Sequence, residues 1–267
     1  MPAAKKLDQL LDEARSHPFT GWDFGWLRSQ GRLLETPLPW DYAKRVAERA
    51  RTAHALLDLG TGGGELLASI HSIPRRTVAT ESYGPNVPVA ARRLRPLGVE
   101  VVRTSGALDN NQQRSGAEPG RLPFRDGAFD LVVDRNEAYV PAEVARILRA
   151  GGEFVSEQSG SSEMPELCQL LDLPVPGSDD PSWDLGMARE QLRATGMTVV
   201  AAQEARIDLS LTDVGALVWY LWAVPWAAPG FSVDAQRERL EKLQREVERT
   251  GPIRVSRSAF WLEAKKP

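Results

Sequence analysis

Cysteine and histidine are both scarce in this sequence. Cys168 is its one cysteine, and its three histidines are His17, His54 and His71. A single cysteine excludes an intrachain disulfide and a cysteine-cluster metal site. No histidine has a second histidine at the HxxxH spacing of a helical metal site. The sequence therefore predicts a protein without a metal centre.

Long apolar runs and a strong charge excess are absent as well. No apolar run approaches the roughly 18 to 20 residues that span a bilayer, and residues 1–10 lack the apolar segment of a signal peptide. We therefore expect a cytoplasmic protein with no membrane partner. The formal net charge of −3 gives no general attraction for phosphate backbones, which disfavours nucleic acid as a partner.

Short apolar runs alternate with helix-like segments from Ala55 onward. This alternation favours an α/β fold with a mostly parallel sheet, helices on both faces and right-handed crossovers. Asp41 is predicted to cap the helix that follows it, and Gly151 is predicted to end the helix PAEVARILRA. The strands are predicted at 55–59, 77–81, 99–103, 129–134, 152–158, 197–205 and 258–266.

A glycine-rich turn carries the strongest functional signal. In LLDLGTGGGELL, residues 56–67, an apolar strand delivers Asp58 and is followed by glycines at alternate positions, Gly60, Gly62 and Gly64, before a helix begins. Glycine is needed where a chain turns sharply or where a ligand lies against the backbone. A tight strand-to-helix turn without a ligand is the plainer alternative.

Two acidic residues narrow the choice of ligand. Glu65 stands where the dinucleotide fingerprint GxGxxG has its third glycine, and a carboxylate at the start of that helix would repel a pyrophosphate. NAD and FAD are therefore disfavoured. Glu81 ends the apolar run TVATE, about 20 residues after the turn, where an acid can accept both ribose hydroxyls of a nucleoside.

These segments resemble the class I S-adenosylmethionine-dependent methyltransferase superfamily, in its bacterial small-molecule type. LLDLGTGGG is similar to the first motif of that family and Glu81 to its ribose-binding acid. LPFRDGAFDLVVDRNE and EVARILRAGGEFVSEQ are similar to its fourth and fifth strands. The resemblance covers residues 55–160 and implies S-adenosylmethionine as cofactor, with S-adenosylhomocysteine as product. It implies as cofactor-binding residues Asp58, Gly60, Thr61, Gly62, Gly64, Glu81, Ser82 and Asn136.

The chain departs from the family pattern at two places. The residue that binds the adenine amino group falls in a long loop, where one register uses Glu118 and another, slightly favoured, uses Gly106, Ala107 and Asp109. Asn136 stands where similar proteins often carry a histidine, so a histidine base is lacking there.

The resemblance also implies a Rossmann-like sheet of seven strands with two additions, an N-terminal helical cap and a C-terminal helical insertion. We predict a helical and aromatic cap over 1–50 and a cofactor-binding core over 51–212. A helical lid insertion is predicted over 213–250, and the final strand of the core sheet over 251–267.

Tryptophans are concentrated in the two flanking segments. We predict that the aromatic stretch 17–27 and the segment 219–226 meet over the carboxyl ends of the strands and enclose an acceptor site. Packing of these rings as ordinary core is the alternative, because three of them recur at helical spacing. The candidate substrate-binding residues are Trp22, Trp26, Trp40 and Trp222.

The predicted activity is transfer of a methyl group to an N, O or C nucleophile of a small molecule. Such a transfer needs alignment of the reactants above all, and if a base takes part the candidates are His17, Glu137 and Tyr139, with Asp23 a further possibility. An RNA base methyltransferase and a non-catalytic adenosylmethionine-binding protein are the alternatives. We expect a monomer or homodimer.

Overall fold

The computed structural model describes residues 7–19, 23–107, 110, 120–160, 164–175 and 183–267. The predicted sites Trp22, Asp109 and Glu118 lie outside the described residues. The strands are β1 Leu33–Glu35, β2 Ala55–Leu59, β3 Arg76–Glu81, β4 Glu100–Arg103, β5 Phe129–Arg135, β6 Leu148–Ser159, β7 Thr198–Leu211 and β8 Ile253–Lys265. The α-helices among the described residues are α1 Leu7–Arg15, α2 Gly25–Ser29, α3 Tyr42–Ala50, α4 Glu65–Ser69, α5 Val87–Leu94, α6 Pro141–Ile147, α7 Pro165–Leu170, α8 Leu185–Ala194, α9 Val214–Ala223 and α10 Arg237–Thr250.

The strands form one sheet in the order β1-β7-β8-β6-β5-β2-β3-β4. The run from β6 to β4 is parallel, whereas β8 pairs antiparallel with β6. The α/β class with a mostly parallel sheet is therefore confirmed. Seven strands were predicted, and the sheet formed by the described residues has eight. The additional strand is Leu33–Glu35, inside the predicted helical cap, which pairs antiparallel with residues 209–211 of β7.

Helices cover both faces of the parallel strands. Alternate residues of β2 belong to different apolar clusters, as strand geometry requires. Leu56 packs with α3, α4 and α5, while Leu57 packs with α6 and α8. The first cluster includes Val46, Leu67 and Leu94, and the second includes Val144, Ile147 and Leu192.

Two local predictions have different outcomes. Asp41 caps α3 as predicted, since its side chain accepts a hydrogen bond from the Lys44 N–H at 2.9 Å. Gly151 does not end a helix. The helix stops at Ile147, and Gly151 lies inside β6 with a φ of +74°. Leu148 already pairs with Phe129 of β5, and a register irregularity follows, so the strand begins four residues earlier than its apolar pattern indicated.

The chain divides into two compact units. The core unit comprises residues 39–160, 181–205 and 259–267, and the flanking unit comprises residues 1–38, 161–180 and 206–258. These boundaries differ from those of the predicted cap and lid segments. That the cap and the lid are separate functional segments stays a prediction. Within the described residues, no helix is long and apolar enough to cross a membrane.

The flanking unit holds an aromatic cluster built from both tryptophan-rich segments. Trp219 of α9 packs against Trp26 at 5.3 Å and against Phe24 at 5.9 Å between ring centroids. Its Nε1 donates a hydrogen bond to the His17 carbonyl oxygen at 2.6 Å. The aromatic stretch and α9 therefore contact each other. That they cover an acceptor site stays a prediction.

Candidate functional site

The glycine turn leaves β2 at the edge where the parallel strands end. Gly60 and Gly62 have φ values of +62° and +61°, in the left-handed region that glycine adopts without strain. The Thr61 N–H donates to the Thr80 carbonyl oxygen at 2.8 Å, which fixes the turn to the end of β3. The turn is therefore shaped locally by glycine and anchored by the neighbouring strand.

Gly60 has a second reason to lack a side chain. A Cβ at this position would collide with the Cβ, Cγ and Cδ atoms of Glu137, which follows β5. The side chain of Glu137 thus lies flat against the backbone of the turn. Glu137 therefore occupies the space into which a side chain at residue 60 would project.

Glu81 lies beside the turn at the end of β3. Its carboxylate accepts a hydrogen bond from the Tyr83 N–H at 2.7 Å and faces the backbone N–H groups of Gly62 and Ser82. Burial raises the pKa of Glu81 above its usual value, and these hydrogen bonds act in the opposite direction. The predicted ribose-binding acid and the glycine turn are thus brought together.

Two further carboxylates lie beneath the turn. Asp58 and Asp134 are 2% and 0% exposed. Burial raises the pKa of Asp58 to about 7 and raises the pKa of Asp134 well above its usual value. The Oδ2 atoms of both residues are buried without a hydrogen-bond partner. Such atoms are costly to bury unless a partner binds them.

Glu137 occupies the centre of this edge. Its Oε1 accepts a hydrogen bond from the Ser82 hydroxyl at 3.2 Å, and a Cβ on Gly106 would lie 3.3 Å from the same oxygen. Burial raises the pKa of Glu137 to about 7, with the Glu81 carboxylate acting in the same direction. Ser82 and Gly106, both predicted for the cofactor, thus adjoin a residue predicted for catalysis.

A small cleft that opens to solvent lies along these strand ends. Five predicted site residues, Gly60, Gly106, Ala107, Glu137 and Tyr139, line it. Thr80, Thr104 and the apolar side chains Leu59, Leu122, Val140 and Val144 also line it. Gly106 and Ala107, the residues of the favoured adenine register, therefore lie on the cleft, and their contact with adenine stays a prediction.

Asn136 links β5 to Glu137 through a strained backbone. Its φ of +57° is left-handed without the residue being glycine. Its N–H donates to the Glu157 carbonyl oxygen at 2.8 Å, and its Oδ1 accepts from the Ser159 hydroxyl at 3.2 Å. Strain of this kind is often found beside functional sites.

A buried polar network that the sequence analysis missed supports the segment after β5. Gln158 Nε2 donates to Asp134 Oδ1 at 3.2 Å and to the Glu137 carbonyl oxygen at 3.1 Å. Tyr42 donates its hydroxyl to the Asp134 carbonyl oxygen at 2.7 Å. These partners come from distant parts of the chain, so no local pattern identified them.

The base candidates His17, Glu137 and Tyr139 have different surroundings. Glu137 and Tyr139 both line the cleft. Tyr139 is buried, its ring packs against Phe154 at 4.9 Å, and burial raises its pKa well above the usual value, so its phenol is protonated at neutral pH. His17 lies in the flanking unit, stacked on Trp26 at 4.3 Å, and its Nδ1 is 3.0 Å from the Glu13 carbonyl oxygen.

The predicted substrate-binding tryptophans are not all in one place. Trp40, in the core unit, donates its Nε1 to Glu157 Oε2 at 2.7 Å. Trp26 belongs to the aromatic cluster of the flanking unit, and Trp222 on α9 is 42% exposed. Contact of these side chains with a substrate stays a prediction.

Glu65 repels an anionic ligand less strongly than its position at the start of a helix predicted. It is the first residue of α4, and its carboxylate pairs with the guanidinium of Arg93 on α5. Arg93 also donates to the Gly63 carbonyl oxygen. Since Arg93 offsets the charge of Glu65, the negative charge facing the turn comes from Glu81 and Glu137.

No family model matches the chain, and no curated protein is significantly similar to it in sequence. Solved structures are similar to it in fold. A structure described as a "putative methyltransferase" from Bacillus halodurans superposes with a TM-score of 0.57 at 15% identity, covering 84% of this chain and 98% of that chain.

Two other solved structures have a comparable likeness. The YcgJ protein of Bacillus subtilis superposes with a TM-score of 0.53 at 17% identity, covering 84% of this chain and 97% of that chain. A functionally unknown protein from Deinococcus radiodurans gives 0.53 at 13% identity, covering 88% and 92%. These likenesses show that the chain shares the fold predicted from its resemblance to methyltransferases.

Proposed function

We propose that this protein is an S-adenosylmethionine-dependent methyltransferase that acts on a small molecule. The observation that carries the proposal is the placement of the Glu81 carboxylate beside the backbone of the Gly60–Gly64 turn. A strand-end carboxylate next to a glycine turn suits a nucleoside whose ribose hydroxyls donate to the acid. The fold shared with the Bacillus halodurans structure supports the same proposal.

The residues of the cleft fit this cofactor. Gly60 has no Cβ, so that Glu137 lies against the turn, and the nearby groups Glu81, Asp58 and Glu137 are acidic. Such a site opposes the phosphates of NAD and suits a ligand with a positively charged sulfonium and ammonium group. The Oδ2 atom of Asp58, buried next to the turn, lacks a hydrogen-bond partner, which fits a site that binds a donor or a cation.

The bound cofactor would supply an activated methyl group on a sulfonium sulfur. Glu81 would hold the ribose, Gly106 and Ala107 would lie against the adenine, and the Gly60 turn would define the position of the remainder. The apolar side chains along the cleft would exclude water. Holding the reactants in line lowers the activation barrier by several kcal/mol, and by about 7 to 11 kcal/mol in the most favourable intramolecular models. A strong base is not required when the acceptor is an amine or phenolate.

A small-molecule acceptor agrees best with the charge of the site. The negative carboxylates of the cleft and the net charge of −3 both oppose an RNA backbone. If the aromatic cluster of the flanking unit contributes to acceptor binding, it offers apolar surface suited to a ring-containing or hydrophobic compound.

The test has a binding stage and a transfer stage. Calorimetric titrations with S-adenosylmethionine, S-adenosylhomocysteine and NAD should give binding for the first two ligands only. Incubation with methyl-labelled cofactor should then move label into a small-molecule extract and not into an RNA fraction. Binding of NAD alone would contradict the cofactor, and labelling of RNA alone would contradict the acceptor class.

A further inference from the structure

The carboxylate of Glu137 lies where four consecutive parallel strands end. Gly60 follows β2, Ser82 follows β3, Gly106 follows the end of β4, and Glu137 itself follows β5. The contacts of its side chain with Gly60, Ser82 and Gly106 place it between these ends. Ligands of open α/β sheets bind in the crevice outside the carboxyl ends of the strands. A ligand bound there therefore meets this carboxylate.

The charge of Glu137 has no cationic partner in the described structure. The ionisable groups that face it are Glu81 from β3, Asp58 from β2 and Asp134 from β5, all of them acidic. Among the cleft-lining residues that the structure describes, none is lysine, arginine or histidine. The Ser82 hydroxyl is a neutral donor.

The neighbouring acids of the cleft differ from Glu137 in this respect. Glu143 also lines the cleft, but its carboxylate pairs with Arg146 at 2.7 Å and accepts from the Leu122 N–H at 2.8 Å. Glu65 pairs with Arg93. The positive charge of Arg135 lowers the pKa of Asp58, but the guanidinium of Arg135 pairs with Glu157 at 2.9 Å. Glu137 is thus the carboxylate on the cleft whose charge a ligand would have to balance.

A second observation concerns Asp58, at the end of β2 beside Glu137. The Oδ2 atom of Asp58, which interacts electrostatically with Glu137, is buried without a hydrogen-bond partner. Buried carboxylates are normally satisfied by donors or paired with a positive group. A positively charged ligand at the strand ends would improve the environment of both acids.

We propose that the carboxylate of Glu137 attracts the positively charged sulfur of the cofactor. The cleft then binds the sulfonium cofactor more tightly than its neutral thioether product. This rests on the proposed function. In the transfer, the bond between sulfur and the methyl carbon breaks with its electron pair left on sulfur, and the acceptor nucleophile forms a new bond to that carbon. The sulfur loses its positive charge in that step, so the attraction to Glu137 ends and the product is released more readily.

The pKa of Glu137 adds a dependence on pH. Burial raises this pKa to about 7, so the carboxylate is ionised above that pH and largely neutral below it. Preference for the sulfonium should therefore increase as the pH rises through about 7. The sulfonium lowers the pKa of the ligand's own ammonium group, so the titration of each free ligand is measured separately and subtracted before the two dissociation constants are compared.

The experiment measures dissociation constants of S-adenosylmethionine and S-adenosylhomocysteine by calorimetry at pH 6 and pH 8.5. The variants are Glu137→Gln and, as a matched loss of one charge, Glu100→Gln at the exposed start of β4. In the unmodified protein, the ratio favouring the sulfonium should be several-fold larger at the higher pH. Glu137→Gln should lower the ratio at pH 8.5 roughly tenfold, as expected for one charge at close range in a partly buried site. It should also weaken the pH dependence of the ratio, and the part that remains comes from Asp58, whose pKa is also about 7. Glu100→Gln should behave as the unmodified protein.

Two results would contradict the role of Glu137, and a third would contradict the proposed function. An unchanged ratio in Glu137→Gln would contradict the role of this residue. Equal weakening of both ligands in that variant would show a structural role instead, which also contradicts it. Failure of the unmodified protein to bind either ligand would reject the proposed function itself, and this result is distinguishable from the other two.

Discussion

Gly60 shows how much of the site depends on a single missing side chain. Its left-handed φ is a local requirement that sequence reasoning can anticipate. Its contact with Glu137 is not, because the two residues are far apart in the chain and meet only when β2 and β5 pair. The glycine turn and Glu81 were predictable from the sequence, whereas Thr104 and Gln158 were not.

We expect Gly60→Ala to destabilise the protein and to abolish cofactor binding. The left-handed backbone costs roughly 1 to 2 kcal/mol for a residue with a Cβ, and the collision with Glu137 adds to it. Gly98→Ala is the matched control, since Gly98 has a φ of +72° and open space around it. Denaturant unfolding should give a larger loss for Gly60→Ala. Equal losses would show that Glu137 moves aside without cost.

We expect Glu81→Ala to weaken cofactor binding while the fold remains intact. Two hydrogen bonds from ribose hydroxyls to a charged acceptor would be lost, each worth on the order of 1.5 to 3 kcal/mol. Calorimetry with S-adenosylhomocysteine measures the loss, and circular dichroism checks the fold. An unchanged dissociation constant would leave Glu81 as a residue that only orders the Ser82 to Tyr83 turn.

Glu137 should also make the stability of the ligand-free protein depend on pH. Its pKa of about 7 in the folded state lies above the value of 4.5 expected in the unfolded chain, so folding favours the protonated form. Its contribution is fully present below about pH 4.5 and is lost as the pH rises through about 7, by up to about 3 kcal/mol. The difference in unfolding free energy between Glu137→Gln and the unmodified protein should grow in favour of the variant between pH 5 and 8. A difference that is constant with pH would contradict the raised pKa.

At the scale of elements, the sequence predicted which strands and helices exist better than where they end. Asp41 acts as a cap through its own neighbours, so the start of α3 was predictable. The start of β6 depends on pairing of Leu148 with β5, and β1 exists only through its pairing with β7. Periodicity within one segment carries no information about such partners.

The start of α9 provides a test at this scale. Asp213 caps the helix by accepting from the Ala216 N–H at 2.9 Å, and it also pairs with the buried Arg32 at 2.6 Å. We expect Asp213→Ala to cost about 3 to 5 kcal/mol of unfolding free energy, because it leaves a buried charge without this partner and removes the cap. Asp213→Asn keeps a capping oxygen and loses only the charge, so a smaller cost is expected. Equal stability of the alanine variant and the unmodified protein in urea would contradict this account.

At the scale of the whole molecule, the relation of the flanking unit to the cleft is open to a direct measurement. If its aromatic segments cover an acceptor site, binding of S-adenosylhomocysteine should slow hydrogen exchange in peptides from residues 23–29 and 214–227 as well as around Gly60, Glu81 and Glu137. Residues 237–250 of α10 are the internal control and should be unaffected. Protection confined to the core unit would contradict the predicted lid.

The position of β8 has a consequence for how the protein is made. This strand is the last of the sheet in chain order, yet it lies inside the sheet between β7 and β6. The five strands from β6 to β4 all come from residues 55–159, so on the ribosome they can pair while β6 still has an open edge. An unpaired strand edge is a template for aggregation, and pairing across a long separation in sequence is slow. The newly made chain is therefore most exposed to misassociation during the interval before the 13 residues of β8 emerge and close that edge.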